Sequence, residues 1–175
     1  GEATSALTKK RSGKGGGADR FQGSTITTRD LVSLMLSLQA RGAENINFVT
    51  STHFLPPLME SLSMAFQKGL TVPLVYNTSG YETEETIDIL DGIVDIYLAD
   101  LRYVTPSVAE RYSNAPDYPA VNRRSLRRMY QQSKTRWEGD LLKEGLVIRH
   151  LVLPGHADES VKALSWIKDN LPRAI

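Results

Sequence analysis

Four short apolar runs in this chain each pass into a polar cluster, and the cluster always lies on the carboxyl side of its run. Asn45-Ile46-Asn47-Phe48-Val49 leads into Thr50-Ser51-Thr52-His53, and Val72-Pro73-Leu74-Val75-Tyr76 into Asn77-Thr78-Ser79-Gly80. Ile93-Val94-Asp95-Ile96-Tyr97-Leu98 leads into Asp100, Arg102 and Tyr103. The fourth run, residues 146–153, leads into Pro154-Gly155-His156. Buried parallel strands read as continuous apolar runs. In α/β folds, reacting groups collect beyond the carboxyl ends of such strands. The pattern predicts one crowded site at one end of a parallel sheet.

Helical patterns fill the intervals. Thr27-Thr28 can cap a helix, with Leu31, Leu34, Met35 and Leu38 on one face. Pro56-Pro57 can open a second helix, with Leu58, Leu62, Ala65 and Phe66 facing inward. Thr83 caps a third that carries Thr86, Ile87 and Leu90. Two more are expected over 106–113 and 119–134. A last one, over 158–170, has a stripe of Val161, Leu164, Trp166 and Ile167. Strand and helix alternation implies right-handed crossovers between parallel strands. The predicted fold class is α/β, a partial (β/α) barrel of about four parallel strands, because a complete barrel takes about 250 residues. Open sheet edges then favour association: a partner, a second copy of the chain or a missing part of the gene can cover them.

Composition narrows the classes. The chain has 175 residues, 41% hydrophobic and 23% charged, as a soluble globular domain does. No run reaches the roughly 20 apolar residues of a membrane span, so no membrane association is expected, and a cytoplasmic location is the default. There is no cysteine, which excludes disulfides, thiolate metal sites and a cysteine-held iron–sulfur cluster within this chain. Residues 1–25 hold Lys9-Lys10-Arg11 and Gly15-Gly16-Gly17 and few large apolar side chains. They read as a flexible leader before a domain over 26–175. Ser12-Gly13-Lys14-Gly15 lacks the spacing and preceding strand of a phosphate loop.

The strand ends carry the candidate chemistry. Asn77-Thr78-Ser79-Gly80 suits a carboxylate, phosphate or ribose, and serves equally as a turn into the Thr83 cap. Asp100 and Arg102, two apart, can hold the two ends of a zwitterion, or form a surface ion pair worth roughly 0–1 kcal/mol. His53, His150 and His156 all lie in or after strands. Two of them with Asp100 can form a mononuclear metal site, although no tight ligand motif is present and His150 also suits a hydrogen-bonded core position. Arg123, Arg124, Arg127 and Arg128 share a helix. The net charge of +1 balances them, so a solvated face is favoured over a nucleic-acid partner.

The strand-end segments resemble a branch of the radical S-adenosylmethionine superfamily, the one similar to pyruvate formate-lyase-activating enzyme. The resemblance lies in residues 45–54, 75–82, 90–100, 115–119 and 148–155. It implies a partial (β/α)₆ barrel of which this chain supplies the central strands. It implies that Asn77, Thr78 and Asp100 lie near the methionine moiety of S-adenosylmethionine. Arg102 stands where the family has a lysine near the carboxylate of that moiety. Thr52 and His53 occupy the neighbourhood of the amino group, where many members carry Gly-Gly-Glu. The family's [4Fe–4S] cluster is held by Cys-x-x-x-Cys-x-x-Cys, absent here, so the cluster is not expected to bind this chain. The family reaction is reductive cleavage of S-adenosylmethionine to a radical. The resemblance implies a protein substrate of glycyl-radical type.

The expectation is therefore a fragment or degenerate member of the family, inactive as this chain, without its cluster segment and last barrel strands. Two alternatives stand beside it. One is a non-catalytic nucleoside-binding or scaffold protein. The other is a metal-dependent lyase or hydrolase using His53, His156 and Asp100.

Overall fold

Backbone pairing and helices alternate along the chain in the computed structural model of the protein, which describes residues 4–6 and 24–175. In order, the elements are β1 (Thr4–Ala6), β2 (Ser24–Ile26), α1 (Thr28–Ala40), β3 (Ile46–Val49), α2 (Leu55–Gln67), β4 (Leu74–Thr78) and α3 (Glu84–Ile89). There follow β5 (Ile96–Leu101), α4 (Pro106–Ser113), α5 (Tyr118–Gln132), β6 (Arg136–Glu138), β7 (Leu141–His150) and α6 (Ala157–Asn170). The chain divides into two compact units, residues 1–43 with 54–71 and residues 44–53 with 72–175.

In the first unit, β1 and β2 pair antiparallel. The rest of the expected leader, including Ser12-Gly13-Lys14-Gly15, lies outside the described residues. Thr27 caps α1 in a capping box: its hydroxyl accepts the Asp30 amide, and its own amide donates to the Asp30 carboxylate at 2.9 Å. Pro56 and Pro57 sit in the first turn of α2, where their missing N–H groups leave no bond unmade. Gln39 ties the end of α1 to the turn after α2, donating to the Gly69 carbonyl and accepting the Thr71 amide. The inward faces differ in detail from expectation. Val32 and Met35 are buried on α1 while Leu34 is half exposed, and Phe66 on α2 is exposed.

The second unit is an α/β layer with strand order β3-β4-β5-β7-β6. The first four strands run parallel, and β6 lies antiparallel to β7. The expected strands shift. β4 begins two residues later than its apolar run and β5 three residues later, the latter because Ile93 and Val94 donate back to Leu90 and close the turn after α3. Asn77, Thr78 and Asp100 thus lie inside their strands. The fourth strand begins earlier, at Leu141, and is led by a hairpin whose two-residue turn is Gly139-Asp140. Gly before Asp between pairing runs is a hairpin signal, overlooked inside a long connection. The outer strand β6 is three exposed residues long, and Arg136 pairs with Glu138 and Glu144. A short, charged edge of this kind resists further pairing.

Parity sorts the strand side chains. Tyr76, Tyr97, Leu146 and His150 share one face of the sheet; Asn77, Asp100 and Arg149 share the other. Helices meet the first face: Gln132 of α5 accepts the Tyr97 hydroxyl and donates to the Ile87 carbonyl of α3, and His150 reaches Ser160 of α6. Tyr76, Tyr97, Ile87, Leu90, Leu126, Met129 and Leu146 are fully buried, each contributing roughly 1.5–3 kcal/mol by leaving water. On α6, the residues buried are Glu159 and Ala163, while Val161 and Leu164 are exposed. In place of the expected apolar stripe, α6 turns Glu159 inward, where its carboxylate accepts the Val104 and Thr105 amides of the loop after β5. Among the described residues, no helix is long and apolar enough to cross a membrane.

Candidate functional site at the carboxyl ends of the parallel strands

The parallel register carries the polar ends of β4, β5 and β7 to one edge of the sheet. On the face that holds Asn77, three neighbouring strands each contribute one polar side chain. Arg149 of β7 donates from Nε to Asp100 Oδ1 at 2.8 Å and from Nη2 to Asn77 Oδ1 at 2.9 Å. Arg102, just past β5, donates to Asp100 Oδ2 from Nε at 3.0 Å and from Nη2 at 2.7 Å. Burial opposes the Arg102 charge, but the bond to Asp100 and its negative charge outweigh that, and the Arg102 pKa is raised. Asp100, Arg102, Arg149, His150 and Leu151 line an open cleft of about 280 Å³.

This arrangement changes the role of the acid. Asp100 was expected to receive an ammonium or a metal. Both of its oxygens already face guanidinium donors, near the limit of what a carboxylate accepts. Asp100 instead fixes two guanidiniums side by side. The cluster keeps one net positive charge, with the Arg102 and Arg149 side chains 41% and 49% exposed. Planar guanidiniums held in this way suit a carboxylate or phosphate.

The opposite face of the same strand ends is closed. Glu82 is buried, and its carboxyl group accepts the Thr52 hydroxyl at 2.8 Å and the Thr78 hydroxyl at 2.5 Å. The Tyr76 hydroxyl meets Thr52 at 2.8 Å, and burial pushes its pKa up to about 12. Thr52 and Thr78 therefore serve an internal network that joins the ends of β3 and β4, apart from the guanidinium cleft. Directly after β3, Thr50 has φ of 51°. That is an outlier for a β-branched residue, of the kind that clusters at sites where the chain is held for a purpose. His53 is exposed in the single 3₁₀ turn Thr52–Phe54.

α5 holds the two strand-end loops together. Tyr118 donates its hydroxyl toward the Ser79 carbonyl at 2.8 Å and the Asp100 carbonyl at 3.1 Å, and accepts the Arg102 amide. Asn122 donates to the Gly80 and Asp100 carbonyls at 3.0 and 2.8 Å. The approach is so close that a Cβ on Gly80 would lie 2.2 Å from Asn122 Nδ2 and 2.4 Å from the Asp100 carbonyl oxygen. Burial raises the Tyr118 pKa far out of the physiological range, so it stays a neutral donor.

The histidines do not assemble a metal site. Both nitrogens of His150 are engaged, Nδ1 with the Leu101 carbonyl at 2.6 Å and Nε2 with Ser160 at 2.9 Å. His156 Nε2 meets the Tyr112 hydroxyl at 3.0 Å. Among the described residues, no three His, Cys, Asp or Glu side chains come together in a way that could hold an ion. The arginine helix is also committed internally. Arg123 and Arg127 lie over the Trp166 ring, Arg124 pairs with Glu84, and Arg128 pairs with Asp88.

Sequence reasoning missed Arg149, Glu82, Tyr118 and Asn122. A charged residue interrupting the apolar run of 146–153 was the available signal for Arg149. Tyr118 and Asn122 reach the Ser79, Gly80 and Asp100 carbonyls across 18 to 42 residues and leave no local trace, while Glu82 bonds both to Thr78, four residues away, and to Thr52, thirty residues away.

No protein-family model matches the chain, and no solved structure matches it. The chain is similar to an uncharacterized protein of Methanocaldococcus jannaschii, 30% identical over 135 residues, which cover 76% of this chain and 36% of that protein. The chain thus spans little more than a third of the length of the curated relative it matches.

Proposed function

We propose that this chain is the central part of a radical S-adenosylmethionine-type (β/α) barrel. Its strand-end rim takes the methionyl carboxylate of S-adenosylmethionine on Arg102 and Arg149. The observation that carries the reading is the Asn77–Arg149–Asp100–Arg102 series across three neighbouring strand ends. It supplies a half-exposed pair of guanidiniums where the resemblance puts the methionine moiety. The partial barrel is supported by parallel strands whose helical contacts fall on one face, while the polar ends of the site lie on the other. A barrel keeps its helices outside and its site at the carboxyl ends of its strands.

In this reading Asn77 and Asp100 orient the two guanidiniums, and Arg102 and Arg149 bind the anionic end of the ligand. Glu82 holds Thr52 and Thr78 and thereby the shape of the rim. Tyr118 and Asn122 fix the Gly80 and Asp100 loops against each other. When bound, S-adenosylmethionine supplies a sulfonium whose reductive cleavage yields a carbon radical. The [4Fe–4S] cluster does not fit these residues, since the chain has no cysteine. The chain by itself binds the cofactor without cleaving it.

The test is anaerobic treatment of the chain with iron and sulfide, followed by titration with S-adenosylmethionine in a calorimeter. The expected result is saturable binding with no cluster absorbance and no 5′-deoxyadenosine. Formation of a stable cluster with cofactor cleavage contradicts the inactive reading, and absence of binding contradicts the assignment of the rim.

A further inference from the structure

Four of the chain's seven tyrosines stand in one row behind the strand-end rim. Tyr81 stacks on Tyr118 with ring centroids 5.7 Å apart. Tyr118 meets Tyr103 edge-on at 5.5 Å, and Tyr103 stacks on Tyr112 at 6.5 Å. The row ends on His156, whose ring lies 5.4 Å from that of Tyr112. Every step falls in the range of direct aromatic contact. The two inner rings are buried, Tyr118 at 4% and Tyr103 at 5% exposure, while the outer two are 42% and 44% exposed.

The two exposed ends share a second property. Tyr81 donates its hydroxyl to the Asp117 carboxylate, with both oxygens at 2.8 Å. The Tyr112 hydroxyl meets His156 Nε2 at 3.0 Å, which accepts when the imidazole carries its proton on Nδ1. An oxidised phenol is a strong acid, so a tyrosine loses an electron readily only where a base takes its proton. The ends of the row have such bases. The inner two have none: Tyr118 donates to backbone carbonyls, and Tyr103 bonds to Ser113. Of the tyrosines outside the row, Tyr76 reaches the Glu82 carboxylate at 3.4 Å but is fully buried, so it offers no exposed end. Tyr97 donates to a Gln132 amide oxygen.

We propose that Tyr81, Tyr118, Tyr103 and Tyr112 form a one-electron relay that carries an oxidising equivalent past the back of the rim to the surface at Tyr112 and His156. A one-electron oxidant of organic-radical or high-valent-metal class takes an electron from Tyr81 as its phenolic proton moves to Asp117. An electron then passes from Tyr112 through Tyr103 and Tyr118 to the Tyr81 phenoxyl. Asp117 returns the proton to the Tyr81 oxygen, and the Tyr112 proton moves to His156 Nε2. Tyr81 is restored, the oxidant is reduced by one electron, and the hole rests as a phenoxyl at Tyr112, where a thiol or ascorbate can quench it. The relay goes beyond the cofactor reading and does not depend on it, because any one-electron oxidant near Tyr81 can feed it.

The chain has no cysteine, so a single Glu85→Cys substitution, at an exposed position four residues past Tyr81, gives one attachment point for a ruthenium polypyridyl photo-oxidant. Incorporating 3-aminotyrosine at position 112 provides a low-potential trap. After a laser flash with persulfate as the quencher, the aminotyrosyl radical is expected to form at 112. Its formation is expected to slow by roughly tenfold or more in Tyr103→Phe and in Tyr118→Phe, equivalent to over about 1.4 kcal/mol of added barrier, and to be unchanged in Tyr97→Phe. Tyr103→Phe gives up only the bond to Ser113, so it keeps the test decisive if Tyr118→Phe loosens the loops. Equal rates in the parent and in Tyr103→Phe, or an equal loss in Tyr97→Phe, would overturn the relay.

Discussion

Arg149 donates to Asp100 across neighbouring parallel strands, Nε to Oδ1 at 2.8 Å, at the register position where β5 and β7 pair the two residues. The contact joins two strand ends that the sequence separates by a whole βαα crossover and a hairpin. It makes the acid the organiser of a guanidinium pair. Replacing Asp100 with Asn leaves Arg102 and Arg149 facing each other without a neutralising charge. Because the guanidiniums are nearly half exposed, the cost is discounted from that of a buried pair, to about 1–2 kcal/mol. Urea unfolding at low salt should show this loss, and high salt should shrink it by screening the two arginines. A loss that is independent of salt would contradict the electrostatic account.

Gly80 and Gly92 have similar backbones, φ +72° and +70°, in different surroundings. An added Cβ at Gly92 meets nothing within 4 Å, whereas at Gly80 it meets the Asn122 amide and the Asp100 carbonyl oxygen. Gly92→Ala should cost about 1 kcal/mol, the left-handed conformational penalty alone. Gly80→Ala should cost a further 1–3 kcal/mol or so, for displacing packed polar groups. Chemical denaturation of the two variants side by side measures the difference. Equal losses would mean that Asn122 and the β5 end give way freely and do not hold the rim.

Glu159 gives a pH dependence of definite sign. Burial opposes its ionisation, but bonds from the Thr105 hydroxyl and the Val104 and Thr105 amides, with Lys162 nearby, prevail and lower its pKa. The folded state thus prefers the carboxylate. The resulting stabilisation is present above the ordinary glutamate range, near 4.5, and is lost as pH falls through the lowered value. Glu159→Gln should be less stable than the parent at neutral pH, and the gap should narrow on acidification. Thermal melts from pH 7 down to roughly 3 resolve it. A gap that stays constant with pH would remove Glu159 as the latch between α6 and the loop after β5.

Much of this arrangement was legible in the sequence, for physical reasons that differ by residue. The Thr27 and Thr83 caps and the Pro56-Pro57 helix start act within one turn, and they stand where local chemistry placed them. The parallel order followed from apolar runs alternating with helical patterns. Asn77, Asp100 and Arg102 converge because parallel register brings strand ends together. Other features arise from tertiary contact and were hidden. The Thr78 and Thr52 hydroxyls turn to the buried Glu82, a residue that reads locally as part of a turn. Val161 and Leu164 look like an inward stripe, yet α6 turns Glu159 and Ala163 inward, and Glu159 accepts the Val104 and Thr105 amides. His150 carries the residue type of a ligand, but Leu101 and Ser160 occupy it.

The most direct test of the central claim is an amide NMR titration of the isotopically labelled chain with S-adenosylmethionine. The account predicts saturable shifts confined to Asn77, Asp100, Arg102, Arg149 and their immediate neighbours, abolished by Arg149→Met. Shifts that are absent, or that cluster away from the ends of β4, β5 and β7, would contradict it.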